Sequence, residues 1–345
     1  MENYPVFPIS NFIYNKDPQF KRYLNFCKYI INHTQDERNL NTGDVYMSFY
    51  PIAKNVRFLA SFMTQNILMN KRSIISNLVR HGEDTFIVNI HKNRWHPWIW
   101  SRGLVEGNYS NQEGWEYYFD SFSKKAQPFQ IIGEIERPPD DTFVFYLNLA
   151  CVLYTHQFSE KYRNEINEYA RQLKWPTTKV LALQIRRGEI ASKKGEHIYD
   201  RPYIPLENYI ERTDLFLKNN PDFTHIYIST DSDEEIENIR MLRPQWNLII
   251  LPIDHSKFYR CTGNNVDVEG YVMADISRIP FVTGTAMADM YFMGQCQGIV
   301  GTMTNSAFAR LAFFLQMANQ EMVTPYYDMN EKVFDFRERD MLLLL

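Results

Sequence analysis

Short apolar runs alternate with amphipathic segments in the C-terminal half of the chain. The runs at 180–185, 225–229, 247–251 and 298–301 are predicted to be buried strands. Helices are predicted between and after them, at 205–218, 234–239, 284–296 and 305–318. Strands that alternate with helices are typical of an α/β fold with a doubly wound parallel sheet. Right-handed crossovers bring the loops that follow the strands to one edge, where such sheets bind ligands.

Helical periodicity dominates the N-terminal half of the chain. Helix-like segments are predicted at 17–33, 53–80 and 157–173, and one strand at 85–90. A tryptophan-dense stretch follows that strand and contains Trp95, Trp98, Trp100 and Trp115. Such rings either fill an apolar core or offer flat faces on which sugar rings stack.

The pattern changes at residues 174–179, where Pro176 follows Trp175 and stops the preceding helix. At 345 residues the chain is too long for one simple core and fits two domains. We therefore predict an N-terminal domain over 1–176, a Rossmann-like C-terminal domain over 177–320, and a tail over 321–345 that packs back on the body.

Charge and cysteine content exclude several classes of protein. A net charge of −4 argues against a nucleic-acid partner, because proteins that bind duplexes carry a basic excess. The four cysteines form no CxxC pair, which argues against a zinc ribbon or a dithiol redox site. The chain starts without a basic head and apolar run, and no apolar stretch reaches the ~18–20 residues of a bilayer span. We therefore expect a cytoplasmic protein with no signal peptide and no membrane span.

Two arginines stand directly after the first strand of the C-terminal half, in the run Gln184-Ile-Arg186-Arg187-Gly-Glu189. A guanidinium is always charged and offers a planar fork of donors that suits phosphate oxygens. The alternative is a structural salt bridge, with Glu189 or Asp231 as the acid. Spacing alone leaves both interpretations open.

Two further polar clusters follow other predicted strands. In Thr230-Asp231-Ser232-Asp233 we expect the last two residues to cap a helix and Asp231 to orient an arginine of the first cluster. Asp289 lies in an otherwise apolar helix and needs a partner there, for which a ligand amine is one option. Ser306 ends the hydroxyl-rich run 302–306 before a helix. It is either an ordinary N-cap or part of a phosphate site.

The order of these clusters resembles that of the α1,6-fucosyltransferases. The matching stretches are IRRGE, KKGEHIYDRPYIPLENY, HIYISTDSDEE and MADMYFMGQCQGIVGTMTNSAFAR, over about residues 178–318. The resemblance extends to the wider fucosyltransferase superfamily. It implies a GT-B-like arrangement of two facing Rossmann-like domains, with GDP-fucose held mainly by the C-terminal one and the acceptor on the side of the N-terminal one.

The resemblance also implies roles for particular residues. Arg186 would bind the donor diphosphate with Arg187 beside it, Glu196 would be the catalytic carboxylate, and Asp289 would contact the guanine. Ser306 would contact phosphate, and Asp231 matches the first acidic residue of the family's Thr-Asp-Asp run. No metal or other cofactor is expected, because an arginine takes over the neutralisation of the leaving diphosphate.

The sequence departs from the family near the donor. Gln184 stands where the family often has histidine, Ile190 stands where it has lysine, and the loop after Arg187 is longer. Lys193 or Lys194 is available to replace the lost charge, and Asp200 is the second choice for the base. Two alternatives follow: a transferase for another nucleotide-sugar on the same fold, and a non-catalytic carbohydrate- or nucleotide-binding protein.

Overall fold

A computed structural model describes part of the chain, in two compact units. The described residues are 18–36, 42–45, 60, 63–64, 68, 72–75, 129–187, 203–253 and 279–330. One unit contains Glu165–Gln320 and the residues from Thr324, and the other contains the residues up to Asn164 with Glu321–Val323. The predicted boundaries of the domains, and the predicted facing of two domains, stay predictions.

The N-terminal unit is a helical layer beside a short parallel sheet. Its elements are α1 (Pro18–Asp36), β1 (Thr42–Val45), β2 (Arg72–Ile75) and α2 (Asp140–Thr155), and α3 (Glu160–Leu173) begins in it. Aromatic rings join α1 to α2, with Phe20 and Tyr146 at a centroid separation of 5.1 Å. The Asn32 side chain on α1 bonds to both the N–H and the carbonyl of Phe129, so the segment before α2 lies along α1.

In this unit one sequence prediction fails and one helix was not predicted. Arg72–Ile75 is a strand that pairs in parallel with β1, so the predicted helix 53–80 is wrong there. A short apolar run does not by itself distinguish strand from helix. The helix α2 was not predicted, because it is apolar on nearly all sides and mostly buried, and therefore lacks an amphipathic period. The predicted strand 85–90 and the tryptophans Trp95, Trp98, Trp100 and Trp115 lie outside the described residues.

The C-terminal unit is built on a five-stranded sheet in which all neighbours are parallel. Its elements are β3 (Lys179–Ile185), α4 (Leu206–Asn219), β4 (Phe223–Thr230), α5 (Asp233–Leu242), β5 (Leu248–Ile250), α6 (Ile279–Gln295), β6 (Gly298–Gly301), α7 (Ala307–Gln320) and β7 (Tyr326–Asp328). The strand order is β5-β4-β3-β6-β7. The predicted α/β class with a parallel sheet is confirmed.

The edge strand β7 was not predicted. Its three residues, Tyr-Tyr-Asp, are too few to show a period, and they lie in the segment that the sequence analysis treated as a tail. β7 pairs with β6 through the register Ile299↔Tyr326, and the N–H of Met329 donates to the Gly301 carbonyl at 2.8 Å. Residues 326–329 therefore complete the sheet.

Side chains alternate between the two faces of this sheet. Leu181, Leu183 and Ile185 of β3 face an apolar cluster with α4 and α5, which includes Tyr209 and Ile236. The residues between them face the other side, where α6 and α7 pack. This alternation decides which residues meet at the carboxyl edge. Among the described residues, no helix has both the length and the apolar character to cross a membrane.

Candidate functional site

From β3 the chain adds β4 and β5 on one side of the sheet and then adds β6 and β7 on the other side of β3. The gap between β3 and β6 is therefore the topological switch point of the sheet. Ligands bind outside the carboxyl ends of the strands at such a point. A Cβ added to Gly301, the last residue of β6, would lie 3.2 Å from the Cβ of Gln184 on β3. The Thr302 hydroxyl donates a hydrogen bond to Gln184 Oε1 at 3.3 Å. The segments above both strands are therefore tied together at the place where a ligand would sit.

The two arginines after β3 belong to opposite faces. By strand alternation Arg186 falls on the face of Gln184 and Thr302, the side of α6 and α7. Arg186 is half-buried. Its neighbour Arg187 falls on the side of α4 and α5 and is only 3% exposed. Of the two, Arg186 is therefore the one on the switch-point side.

The Arg187 side chain is engaged within the protein. Its Nε donates to Glu235 Oε1 at 2.5 Å, and its Nη1 donates to the carbonyl of Ile204 at 2.8 Å. The guanidinium lies 4.8 Å from the ring centroid of Tyr203 and 5.6 Å from that of Tyr209. The salt-bridge alternative thus applies to Arg187 with Glu235 as the acid, and its contact with a donor stays a prediction.

Asp231 and Ser232 follow β4 and hold main-chain groups. Asp231 Oδ1 accepts the backbone N–H of Arg187 at 2.7 Å, so this carboxylate fixes the chain immediately after β3. Ser232 is the N-cap of α5 and accepts the N–H of Glu235 at 3.4 Å. Capping by Ser232 was predicted and is confirmed. The contact of Asp231 with Arg187 is thus made to the main chain.

The turn between β6 and α7 is rigidly hydrogen-bonded. Ser306 accepts the N–H of Ala309 at 3.2 Å and donates its own N–H to the Thr302 carbonyl at 2.8 Å. Arg310 donates from Nε to the Met303 carbonyl and from Nη2 to the Thr304 carbonyl. Ser306 is therefore an N-cap of α7, and its contact with phosphate stays a prediction. The first N–H groups of a helix have no intrahelical acceptor and favour an anion.

Asp328 and Asn330 support this turn from the other side, and neither was predicted as a site residue. Asp328 Oδ2 accepts the N–H of Thr304 at 2.9 Å, and Oδ1 accepts the N–H of Asn330 at 3.0 Å. Burial raises the pKa of Asp328, while the hydrogen bonds from Asn330 and Thr304 act against that rise. The available signal was a polar pair, Asp328 and Asn330, at the end of an aromatic run in the predicted tail.

Asp289 on α6 is held by two hydroxyl groups of β4. Tyr227 donates to Oδ1 at 2.7 Å, and Ser229 donates to Oδ2 at 2.6 Å. The partner that an acid in an apolar helix requires is thus supplied by the protein, and contact with a guanine stays a prediction. Ser229 is the next-to-last residue of β4, so Asp289 lies level with the carboxyl edge. The ten preceding residues of α6, ~15 Å of helix, extend beyond that edge on the ligand side.

Several predicted residues lie outside the described part of the chain. These are Glu196, its alternative Asp200, and the lysines Lys193 and Lys194. Within the described ranges, no group of three or more histidine, cysteine, aspartate or glutamate side chains is placed to hold a metal ion. The absence of a metal requirement stays a prediction.

No protein-family model matches the sequence, and a search of curated proteins found no relative. Solved structures similar to this chain include NodZ α1,6-fucosyltransferase soaked with GDP-fucose, at 12% identity and a TM-score of 0.41, covering 80% of this chain and 92% of that one. Fucosyltransferase NodZ from Bradyrhizobium is similar at 12% identity and a TM-score of 0.42, and the match covers 80% of this chain and 93% of that one. A mutant of Arabidopsis thaliana FUT1 in complex with GDP is similar at 10% identity and a TM-score of 0.40, and the match covers 86% of this chain and 76% of that one. All three are fucosyltransferases, as the motifs led us to expect, and the likeness is remote.

Proposed function

We propose that this protein is an inverting glycosyltransferase that transfers L-fucose from GDP-fucose to a hydroxyl of a glycan acceptor. The observation that carries the proposal is the convergence of Arg186, Gln184 and Thr302 at the switch point of a parallel sheet. Ligands of doubly wound folds bind at this point. A guanidinium there suits a diphosphate, because it presents a planar set of charged donors.

The diphosphate lies in this proposal between Arg186 and the start of α7. The first turn of α7 faces it with N–H groups and the positive end of the helix dipole, and Ser306 contributes its hydroxyl group. The turn is held before any ligand binds, since Arg310 and Asp328 fix its carbonyl and N–H groups. A preorganised set of donors stabilises developing charge without reorganisation at the moment of reaction.

The nucleobase lies in this proposal along the part of α6 that extends beyond the sheet. Asp289 is half-buried and accepts two protein hydroxyl groups, and each carboxylate oxygen has a second lone pair. Guanine presents adjacent N–H donors that match a carboxylate. Uracil presents one such donor between two carbonyl oxygens, so Asp289 favours a guanine nucleotide.

The reaction is a single in-line displacement at the anomeric carbon. A carboxylate, Glu196 in this proposal with Asp200 as the alternative, removes the proton from the acceptor hydroxyl. General-base assistance of this kind contributes about 10²–10⁴ in rate. As the bond to the sugar breaks, the departing diphosphate gains charge, which Arg186 neutralises. Trp95, Trp98 and Trp100 are the candidates for stacking on the acceptor sugar, and filling an apolar core is the alternative.

The first test is a donor screen on the full-length protein. Binding and hydrolysis of GDP-fucose, GDP-mannose, UDP-sugars and free GDP are measured for the wild type, Arg186→Ala and Glu196→Gln. The matched control is Arg240→Ala, because Arg240 is an exposed arginine of α5 that pairs with Glu237. We expect selective use of GDP-fucose and a loss of ~3 kcal/mol in transition-state stabilisation for Arg186→Ala.

Each outcome of the screen decides a different part of the proposal. Selective use of a UDP-sugar would keep the role of Arg186 and overturn the sugar assignment. No binding of any nucleotide at millimolar concentration would overturn the transferase proposal. Binding of GDP-fucose without turnover in the presence of varied glycan acceptors would favour a non-catalytic binding protein.

A further inference from the structure

The side chain of Arg187 bridges three separate segments of the C-terminal unit. It follows β3, its Nε pairs with Glu235 in the first turn of α5, and its Nη1 bonds to Ile204 just before α4. Asp231, between β4 and α5, accepts its backbone N–H. The residue thus links the exit of β3 to the entrance of both following helices.

The environment of the pair makes it a rigid link. The side chains of Arg187 and Glu235 are 4% and 12% exposed, and the guanidinium lies against the rings of Tyr203 and Tyr209. Within the described residues, Arg187 Nη2 and Glu235 Oε2 have no hydrogen-bond partner. These two atoms are the ones that a side-on arginine–carboxylate fork joins beside the Nε bond. A small rotation of the Glu235 carboxylate would complete the fork.

Arg186 and Arg187 share one peptide bond but face opposite sides of the sheet. Because the backbone N–H and the side chain of Arg187 are both hydrogen-bonded, the peptide bond between Arg186 and Arg187 is held in place. The Arg186 Cα, which carries the side chain, adjoins that peptide bond. Charged groups that act on a developing charge have to be held within a fraction of an ångström. The pair on the α4/α5 side thus holds the backbone from which the Arg186 side chain extends toward the switch-point side.

We propose that Arg187 and Glu235 are positioning residues of the donor site, which hold Arg186 toward the diphosphate and do not touch the donor. This inference rests on the proposed function. It assigns to Arg187 a role other than the direct donor contact that the family resemblance implies. It also assigns a role to Glu235, for which the sequence predicted none.

A double-mutant cycle on GDP affinity tests the inference. In the full-length protein, Kd for GDP is measured for Arg186→Ala, Arg187→Met and the double variant. A residue that acts only through Arg186 has no remaining effect once Arg186 is gone. We expect Arg187→Met to weaken GDP binding about tenfold or more alone, and less than about threefold in the Arg186→Ala background. Multiplicative losses in the double variant would show a direct contact and overturn the inference.

A second measurement covers the case in which Arg187→Met unfolds the protein, since breaking a buried pair leaves an uncompensated charge. The variant Arg187→Met with Glu235→Met removes both charges and is expected to fold, and Glu235→Gln keeps the shape of the acid. We expect both to weaken GDP binding about as much as Arg187→Met. The exposed pair on the same helix supplies controls, Arg240→Met and Glu237→Gln, which should keep the wild-type Kd.

The results also separate this inference from the proposed function. If Arg186→Ala leaves GDP binding unchanged, the proposed donor site itself fails. If Arg186→Ala weakens binding but the Glu235 variants lower only the melting temperature and keep the wild-type Kd, the pair is merely structural and the inference fails.

Discussion

At the scale of single residues, the face of the sheet on which a side chain falls decides what that side chain does. Arg186 and Arg187 have the same charge and adjacent positions, yet they fall on opposite faces of the sheet, and an acid and two tyrosine rings enclose Arg187. Asp289 shows the same dependence on surroundings, because two hydroxyl groups of a neighbouring strand supply its partners. Residue type suggests a chemistry, and the neighbours select one use of it.

His156 offers a test of how burial alone changes a residue. It follows α2, lies 4.7 Å from the Phe158 ring, and burial lowers its pKa to about 3 from an ordinary value of 6.5. Between about pH 3 and 6.5 the unfolded chain binds a proton at this residue and the folded chain does not. The contribution of His156 to the free energy of unfolding is therefore lost as pH falls through this window.

We predict that His156→Phe lowers, by up to one, the number of protons that the chain takes up on unfolding between pH 3 and 6.5. Urea unfolding at several pH values between 3 and 6.5 measures that dependence, and the slope should become shallower in the variant. An NMR titration of the His156 ring in the folded protein checks the cause directly. A ring that titrates near 6.5 in the folded state would contradict the prediction.

At the scale of elements, the close approach of strands and helices depends on glycine at the two ends of β6. Gly301 at the carboxyl end lets β6 approach Gln184 beside the candidate site. Gly298 at the amino end lies under two aromatic rings, where a Cβ would be 2.8 Å from Phe216 Cζ and 3.1 Å from atoms of Phe223. The packing of α4 on the sheet therefore requires the absence of a side chain at this position.

Gly298→Ala is expected to destabilise the fold by about 1–3 kcal/mol, because overpacking forces core rings to move. The matched control is Gly284→Ala within α6, where an added Cβ meets no atom within 4 Å. Alanine in a helix interior is favoured over glycine, so the control should gain ~0.5–1 kcal/mol. Chemical denaturation of both variants measures the two shifts, and destabilisation of equal size in both would refute the packing argument.

At the scale of the whole molecule, the charge distribution bears on how a nucleotide diphosphate is handled. The chain has a net charge of −4, so attraction of an anionic donor depends on local groups rather than on the overall charge. Arg186 and the start of α7 are the local groups at the switch point. In the proposed function these groups neutralise the leaving diphosphate, and no metal ion is required.

Donor turnover is accordingly expected to proceed without a divalent cation. In the presence of excess EDTA the rate of GDP-fucose use should stay within about twofold of the untreated rate, since the charge of the leaving group is taken by an arginine. Added Mg²⁺ or Mn²⁺ serves as the comparison. A strong loss of activity with EDTA that is restored by one of these ions would refute metal independence.

Much of the fold was accessible to sequence reasoning because its strands are short apolar runs between amphipathic helices. The stretch 298–301 was predicted with its observed bounds, and β3 and β4 were found within two residues at each end. Failures occurred where a segment lacked a period. The helix α2 is apolar all round, and β7 has three residues. Arg72–Ile75 carried a pattern that fits a helix equally well.

The sequence by itself determined the α/β class, the parallel sheet and the position of polar clusters after its strands, because these follow from local patterns of hydrophobicity. Which cluster residues meet was decided only by the tertiary structure. Arg187 and Glu235 are 48 residues apart, and Thr304 and Asp328 are 24 apart. Their contacts depend on strand order and on the face to which each side chain points. The spacing of residues along the chain does not specify the strand order or which face of the sheet meets which helices. Both depend on contacts between segments that are far apart in the sequence.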